Sequence, residues 1–127
     1  MNEPVFLSFT HIEKIHRKSI SQFGGTLGIR DRGTLESAIF QPQNVYFYGD
    51  GNLYEIAAAY AYHLAEAQAF LDGNKRTAAG AALAFLELNG ISTSVDSLPL
   101  YDAMIAISQK RMSKSALAAL FRRMFGR

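Results

Sequence analysis

Two alanine-rich helical segments meet head to tail across a short glycine turn, and this pair constrains the fold more than any other feature. From Leu53 to about Phe70, the residues Leu53, Ile56, Tyr60, Leu64 and Ala67 recur at helical spacing, and alanine fills most of the other faces. A second alanine-rich helix is predicted from near Asn74 to Asn89, where Asn89-Gly90 is a helix stop. Small side chains let two helix axes approach closely, so the pair is expected to form the buried centre of an all-α bundle.

Four further helices are predicted around that pair, giving about six. Thr10-His11-Ile12-Glu13 has capping-box spacing, so the first helix is read from about Thr10 to the Gly24-Gly25 pair, with Ile12, Ile15 and Ile20 as its apolar side. Gly24 to Gly33 reads as a loop, and Thr34–Phe40 as a short helix stopped before Pro42. Val45–Tyr48 is a β-prone aromatic run, readable as one arm of a small flap or as a packed loop. Ile91–Val95 is read as a short strand that pairs with Val5–Phe9, so at most a minor β pairing is expected. The last two helices fall at about Ser97–Ser108 and Ser113–Phe125.

The chain has 127 residues and is 49% hydrophobic, enough for one filled core and too little for two, so residues 1–127 are read as a single domain. It has no cysteine, which excludes disulfides and thiolate metal sites. Glu3 stands where a signal peptide wants positive charge, and no apolar run approaches the ~18 residues that span a bilayer. A cytoplasmic protein without a membrane partner is expected. Net charge is +2, but Lys110, Arg111, Lys114, Arg122, Arg123 and Arg127 crowd the last 18 residues without an acid, leaving the remainder net negative. No aromatic-interleaved stripe or nucleic-acid motif accompanies these cations, so the solvated face of a terminal helix is the preferred reading over a nucleic-acid surface.

The chemistry is expected in the turn between the central helices, Phe70-Leu71-Asp72-Gly73-Asn74-Lys75-Arg76-Thr77. A helix N-terminus exposes unpaired N–H groups and the positive end of the macrodipole, so acids normally stabilise its first turn. Here Lys75 and Arg76 occupy it instead. That conflict disappears if the partner is an anion such as a phosphate chain. Gly73 would let the backbone approach such an anion closely. Arg76 can grip phosphate oxygens bidentately, Lys75 adds a point charge, and Asn74 offers an amide donor or acceptor. Asp72 either caps the helix or holds Mg²⁺ on the phosphates. The plainer alternative is an exposed, cation-rich loop with an ordinary Asp cap.

At these residues the sequence resembles the death-on-curing (Doc) branch of the Fic superfamily. The superfamily motif reads His-x-Phe-x-x-Gly-Asn-Gly/Lys-Arg, and Phe70, Gly73, Asn74, Lys75 and Arg76 match it in register, with Asp72 as in Doc proteins. A second block resembles them too: Gly24-Gly25, Gly28-Ile29-Arg30-Asp31, Gly33, Leu35-Glu36-Ser37-Ala38 and Pro42-Gln43. With Phe85-Leu86-Glu87-Leu88-Asn89-Gly90 the resemblance covers most of residues 5–95.

The resemblance implies a compact Fic-type bundle and transfer from ATP or another nucleoside triphosphate, with Mg²⁺, to a hydroxyl on a protein. Fic proteins with glycine at the eighth motif position typically transfer a nucleotidyl group. Doc proteins carry lysine there and phosphorylate a translation factor, so Lys75 favours a protein kinase. The resemblance further implies one half of a type II toxin–antitoxin pair, whose partner is a small antitoxin with a tail that folds on binding. No Ser/Thr-x-x-x-Glu-Gly/Asn inhibitory pattern occurs in the chain, and the basic C-terminal stretch suits an acidic tail.

One motif position departs from the family. Gln68 stands where the motif has histidine, the general base for the acceptor hydroxyl, and a neutral amide cannot take that proton. Three readings stay open: a kinase weakened at Gln68, a nucleotidyl (AMP) transferase, and a Fic-fold module that binds nucleotide or protein without catalysis. His63, five residues earlier on the same expected helix, lies about 140° round from Gln68 and is read as a packed or hydrogen-bonded core residue. His11 and His16 read as surface or boundary residues.

Overall fold

A computed structural model describes residues 3–94 and 98–126 as six helices. These are α1 Phe9–Phe23, α2 Arg32–Gly49, α3 Leu53–Ala67, α4 Asn74–Leu88, α5 Leu98–Ser108 and α6 Lys114–Phe125. The two alanine-rich segments are α3 and α4, and α3 is the hub, packing on α2, α4, α5 and α6, while α1 lies against α4. Ala57, Ala58, Ala59, Ala61, Ala65, Ala78, Ala81 and Ala82 are all buried, so backbones that carry only methyl groups meet around the larger Ile56, Tyr60, Phe85 and Leu86. This is the all-α bundle the sequence predicts.

Local chemistry sets most helix starts. Asn52 caps α3 reciprocally with Glu55, each side chain reaching the other's backbone N–H at 2.9 Å. Asp31 caps α2 by accepting from Thr34 N–H at 3.1 Å, which holds its carboxyl below the usual range. Ser113 caps α6. α1 begins slightly earlier than expected, because the capping box is Ser8 with His11 rather than Thr10 with Glu13: the Ser8 hydroxyl accepts from His11 N–H, and His11 Nδ1 accepts from Ser8 N–H.

Three expectations are corrected. α2 does not stop before Pro42 but runs through it to Gly49, taking in Val45–Tyr48, which is neither strand nor loop. An interior proline removes one helical hydrogen bond and typically costs about 3 kcal/mol. Burial of Pro42 and the packing of Tyr46 and Phe47 on Phe6, with ring centroids 6.0 and 5.9 Å apart, offset that loss. Nor do the described residues of Ile91–Val95 pair with Val5–Phe9; Val95 lies outside the described residues, and Phe9 opens α1. Asn89 takes the place of a strand: its Oδ1 accepts from Val5 N–H at 2.8 Å and its Nδ2 donates to Val5 O at 3.0 Å. Glu87 binds the N–H and hydroxyl of Thr93 in the same region. Among the described residues the only β-pairing is an isolated antiparallel bridge, Ile29 to Phe70, and it lies at the turn between α3 and α4.

Candidate functional site

The α3–α4 turn is fixed to the glycine-rich loop that precedes α2. Arg30 N–H and Asp31 N–H both donate to Ala69 O, at 2.7 and 3.1 Å, and Leu71 N–H donates to Gly28 O at 3.0 Å. The Arg30 guanidinium donates to the carbonyl of Gln68. Gln68 is therefore not on α3: it follows the helix end with left-handed backbone angles, φ 47° and ψ 46°, and an exposed side chain. An angle measured around the helix does not relate it to His63.

His63 turns instead toward α6, where its Nε2 accepts from Lys114 Nζ at 3.1 Å. Burial, reinforced by the lysine charge, pushes its pKa down to about 4, so the ring is neutral near pH 7. The expected packed, hydrogen-bonded histidine is what the fold contains.

Asp72 does not cap α4. The N-cap position is Gly73, with φ 75° and no side-chain cap. One carboxylate oxygen of Asp72 accepts from Thr26 N–H and the other from its neighbour Gly73 N–H, both at 3.2 Å. Asp72 thus joins the two loops while its side chain stays open to solvent. Among the described residues no three His, Asp or Glu side chains gather into a metal cage. A single exposed carboxylate fits a Mg²⁺ that arrives on phosphates, since that ion keeps most of its water and needs only one or two protein ligands.

The amide of Asn74 turns inward, its Nδ2 donating to Phe70 O and its Oδ1 accepting from Phe70 N–H, both at 3.0 Å. What Asn74 offers an anion is therefore its backbone N–H. Lys75 and Arg76 follow in the first turn of α4, which carries no acidic residue. Neither has a carboxylate within 4.0 Å among the described residues. Arg76 is exposed and lies over the Phe23 ring, 4.7 Å from its centroid. A Cβ at Gly73 would stand 3.1 Å from Ile20 Cδ1 on α1, so glycine meets both a steric and a left-handed conformational requirement there. The result is a cationic helix start without a side-chain cap, at the end of a hydrogen-bonded turn and with a carboxylate beside it.

Three residues outside the motif help to build this turn. Arg30 belongs to the glycine-rich block, and Phe23 ends α1. His16 is no boundary residue: it is 3% exposed, with its ring stacked on Phe70 at 3.8 Å and 9°. Its spacing carried the signal, because His16 lies four residues from both Ile12 and Ile20 and so on the apolar face of α1.

Comparison with known proteins points the same way. Residues 6–86 match the profile of the Fic/DOC family. The chain is 35% identical over 113 residues to "Protein kinase doc" of Escherichia phage P1, covering 88% of this chain and 89% of that protein. It is 43% identical over 76 residues to "Toxin Doc" of Mycolicibacterium smegmatis, a match covering 58% of each.

Proposed function

The chain belongs to the Fic/DOC family, and from that premise we propose that it is a Doc-type toxin, a kinase that moves the terminal phosphoryl group of ATP onto a hydroxyl of a translation-related protein. The observation that carries this reading is the start of α4, where Lys75 and Arg76 stand without an acid or side-chain cap. The macrodipole and two cations all favour an anion at that point. Arg76 and Lys75 hold the phosphates, together with the backbone N–H groups of the first turn. Mg²⁺, held by Asp72 on the phosphates, would neutralise charge that develops in transfer. The acceptor oxygen forms the new bond to the γ-phosphorus as the bond to the bridging oxygen breaks, and ADP leaves with that electron pair. The acceptor proton passes to solvent, because Gln68 cannot take it.

A lysine rather than a second glycine at position 75 favours phosphoryl over nucleotidyl transfer. It fills space and adds charge where a triphosphate would otherwise lie deeper. Transfer of this kind rests mainly on positioning and charge stabilisation, so activity persists at a reduced level. The other reading, a nucleotide- or protein-binding module without catalysis, draws on Gln68 itself, whose amide is exposed and whose backbone is held left-handed beneath Arg30.

As a partner we propose a small acidic antitoxin whose tail folds on binding, matched by the basic last turn of α6 at Arg122 and Arg123. No helix among the described residues is long and apolar enough to cross a membrane, and the cytoplasm is the proposed location. Labelled ATP added to the purified protein and a cell extract tests the assignment. Transfer of the γ-label to a protein band supports it. Transfer of an α-label means nucleotidyl transfer, and absence of both labels when Gln68→His labels a target means a binding module.

A further inference from the structure

His16 lies on α1, outside the motif, yet it packs against the motif turn at Phe70, Asp72 and Gly73. Its ring stacks on Phe70, its Nε2 is 2.8 Å from Asp72 O, and its ring edge lies 3.7 Å from the place a Cβ would take on Gly73. A carbonyl oxygen only accepts, so Nε2 carries the proton and the ring donates. With 3% exposure and that nitrogen engaged, His16 is in no position to serve as the base missing at Gln68.

The bond acts on the orientation of one peptide group. In a trans peptide, C=O and N–H point in opposite directions. Holding Asp72 O against α1 therefore turns Gly73 N–H away from α1, to the side where the Asp72 carboxylate meets it at 3.2 Å. Rotated the other way, the same peptide would aim its carbonyl oxygen at the mouth of the loop and repel an anion. The residue that follows this peptide is glycine, which populates both signs of φ, so the chain itself does little to choose between the two orientations. We infer that His16 is a positioning residue, a latch from α1 that keeps the Asp72 carbonyl turned away from the phosphates that the first turn of α4 would hold. The stack on Phe70 fixes the imidazole plane so that Nε2–H meets the carbonyl. This inference rests on the phosphate reading of the loop for its function, though not for its geometry.

Two variants separate the contacts. His16→Phe keeps an aromatic ring against Phe70 and loses the donor, whereas His16→Gln keeps a donor at the reach of Nε2 and loses the ring. Amide NMR of the full chain reads the turn directly, and titration calorimetry with Mg-ATP reads its use. His16→Phe is expected to move the Gly73 and Asn74 amide resonances and to weaken Mg-ATP about tenfold, the equivalent of roughly one hydrogen bond. His16→Gln should stay within about threefold of the parent. If His16→Phe lowers only the melting temperature and leaves both amides and affinity unchanged, His16 is a packing residue and the latch is overturned. If the parent protein does not bind Mg-ATP, the nucleotide reading fails while the amide shifts still decide the latch. Should His16→Phe not fold, ¹⁵N NMR of the parent imidazole decides it: a protonated Nε2 coupled across a hydrogen bond upholds the latch, and a bare Nε2 overturns it.

Discussion

The side chain of Asn74 hydrogen-bonds both backbone groups of Phe70, four residues earlier, at 3.0 Å each way. The reciprocity follows from the Ile29–Phe70 bridge. The bonds beside that bridge run from Leu71 N–H to Gly28 O and from Arg30 N–H to Ala69 O, so the N–H and C=O of Phe70 itself face away from the glycine-rich loop. Asn74 satisfies both from the other side. Asn74→Ala should therefore leave a donor and an acceptor unpaired and destabilise the protein by about 2 kcal/mol. Asn74→Asp, which keeps only the acceptor, should fall between the two. Denaturant unfolding measures both, and a neutral Asn74→Ala would mean that water replaces the amide without loss.

Much of this architecture is written in local sequence, and the exceptions have a common origin. The α3–α4 pair follows from helical spacing and alanine, and the end of α4 and the start of α6 follow from Asn89 and Ser113, because these signals act within one or two turns. Pro42 misleads because a local penalty is offset by distant aromatic contacts with Phe6. Asn89 looks like a helix stop, which it is, but its side chain also binds Val5, 84 residues away. The site divides in the same manner. The charge conflict at Lys75 and Arg76 is visible in the sequence, whereas the placement of Gln68 beyond α3, the inward turn of Asn74 and the ties from Arg30 and His16 depend on contacts between elements.

Arg76 offers a test of whether the loop is built for a ligand. Its guanidinium has no carboxylate within 4.0 Å among the described residues, and its contact with Phe23 is an exposed cation–π pair of roughly 0.5–1 kcal/mol. Removing a cation from the positive end of α4 also relieves repulsion. Arg76→Ala should thus change stability by less than about 1 kcal/mol and weaken Mg-ATP by tenfold or more, roughly the effect of one charge-assisted hydrogen bond. Calorimetry with a parallel thermal melt reads both. A large loss of stability with unchanged affinity would make Arg76 a structural residue.

Gln68→His should restore a proton acceptor at a position already exposed and anchored through its carbonyl by Arg30. Because that anchor uses the backbone, the substitution leaves it in place, and the melting temperature should barely move. A general base contributes about 10²–10⁴-fold. γ-Label transfer to the acceptor protein is expected to rise within that range, with a dependence on pH that the parent lacks. An unchanged rate would show that proton removal does not limit transfer, or that the acceptor hydroxyl lies elsewhere.

His63 gives the fold a dependence on pH that is separate from any catalysis. Its pKa is lowered from 6.5 to about 4, so the folded protein resists a proton that the unfolded chain accepts. The unfolded state then binds more protons throughout that interval, and stability rises with pH. The contribution is complete above about pH 6.5 and is lost progressively as the pH falls toward 4. A shift of this size corresponds to roughly 3 kcal/mol if undiminished. The ring is only half-buried, and solvent screening reduces the expectation to about 1 kcal/mol. Asp31 and Glu87, held low by Thr34 and Thr93, begin to lose their stabilising effect about one unit above their ordinary values of 3.8 and 4.5, so they leave the upper part of the interval to His63. His63→Gln retains an acceptor for Lys114 but cannot titrate. Its unfolding free energy should vary less between pH 6.5 and 4.5 than that of the parent, by about 1 kcal/mol. Parallel slopes for the two proteins would mean that the charged ring is accommodated beside Lys114 after all, and that another group sets the acid limit.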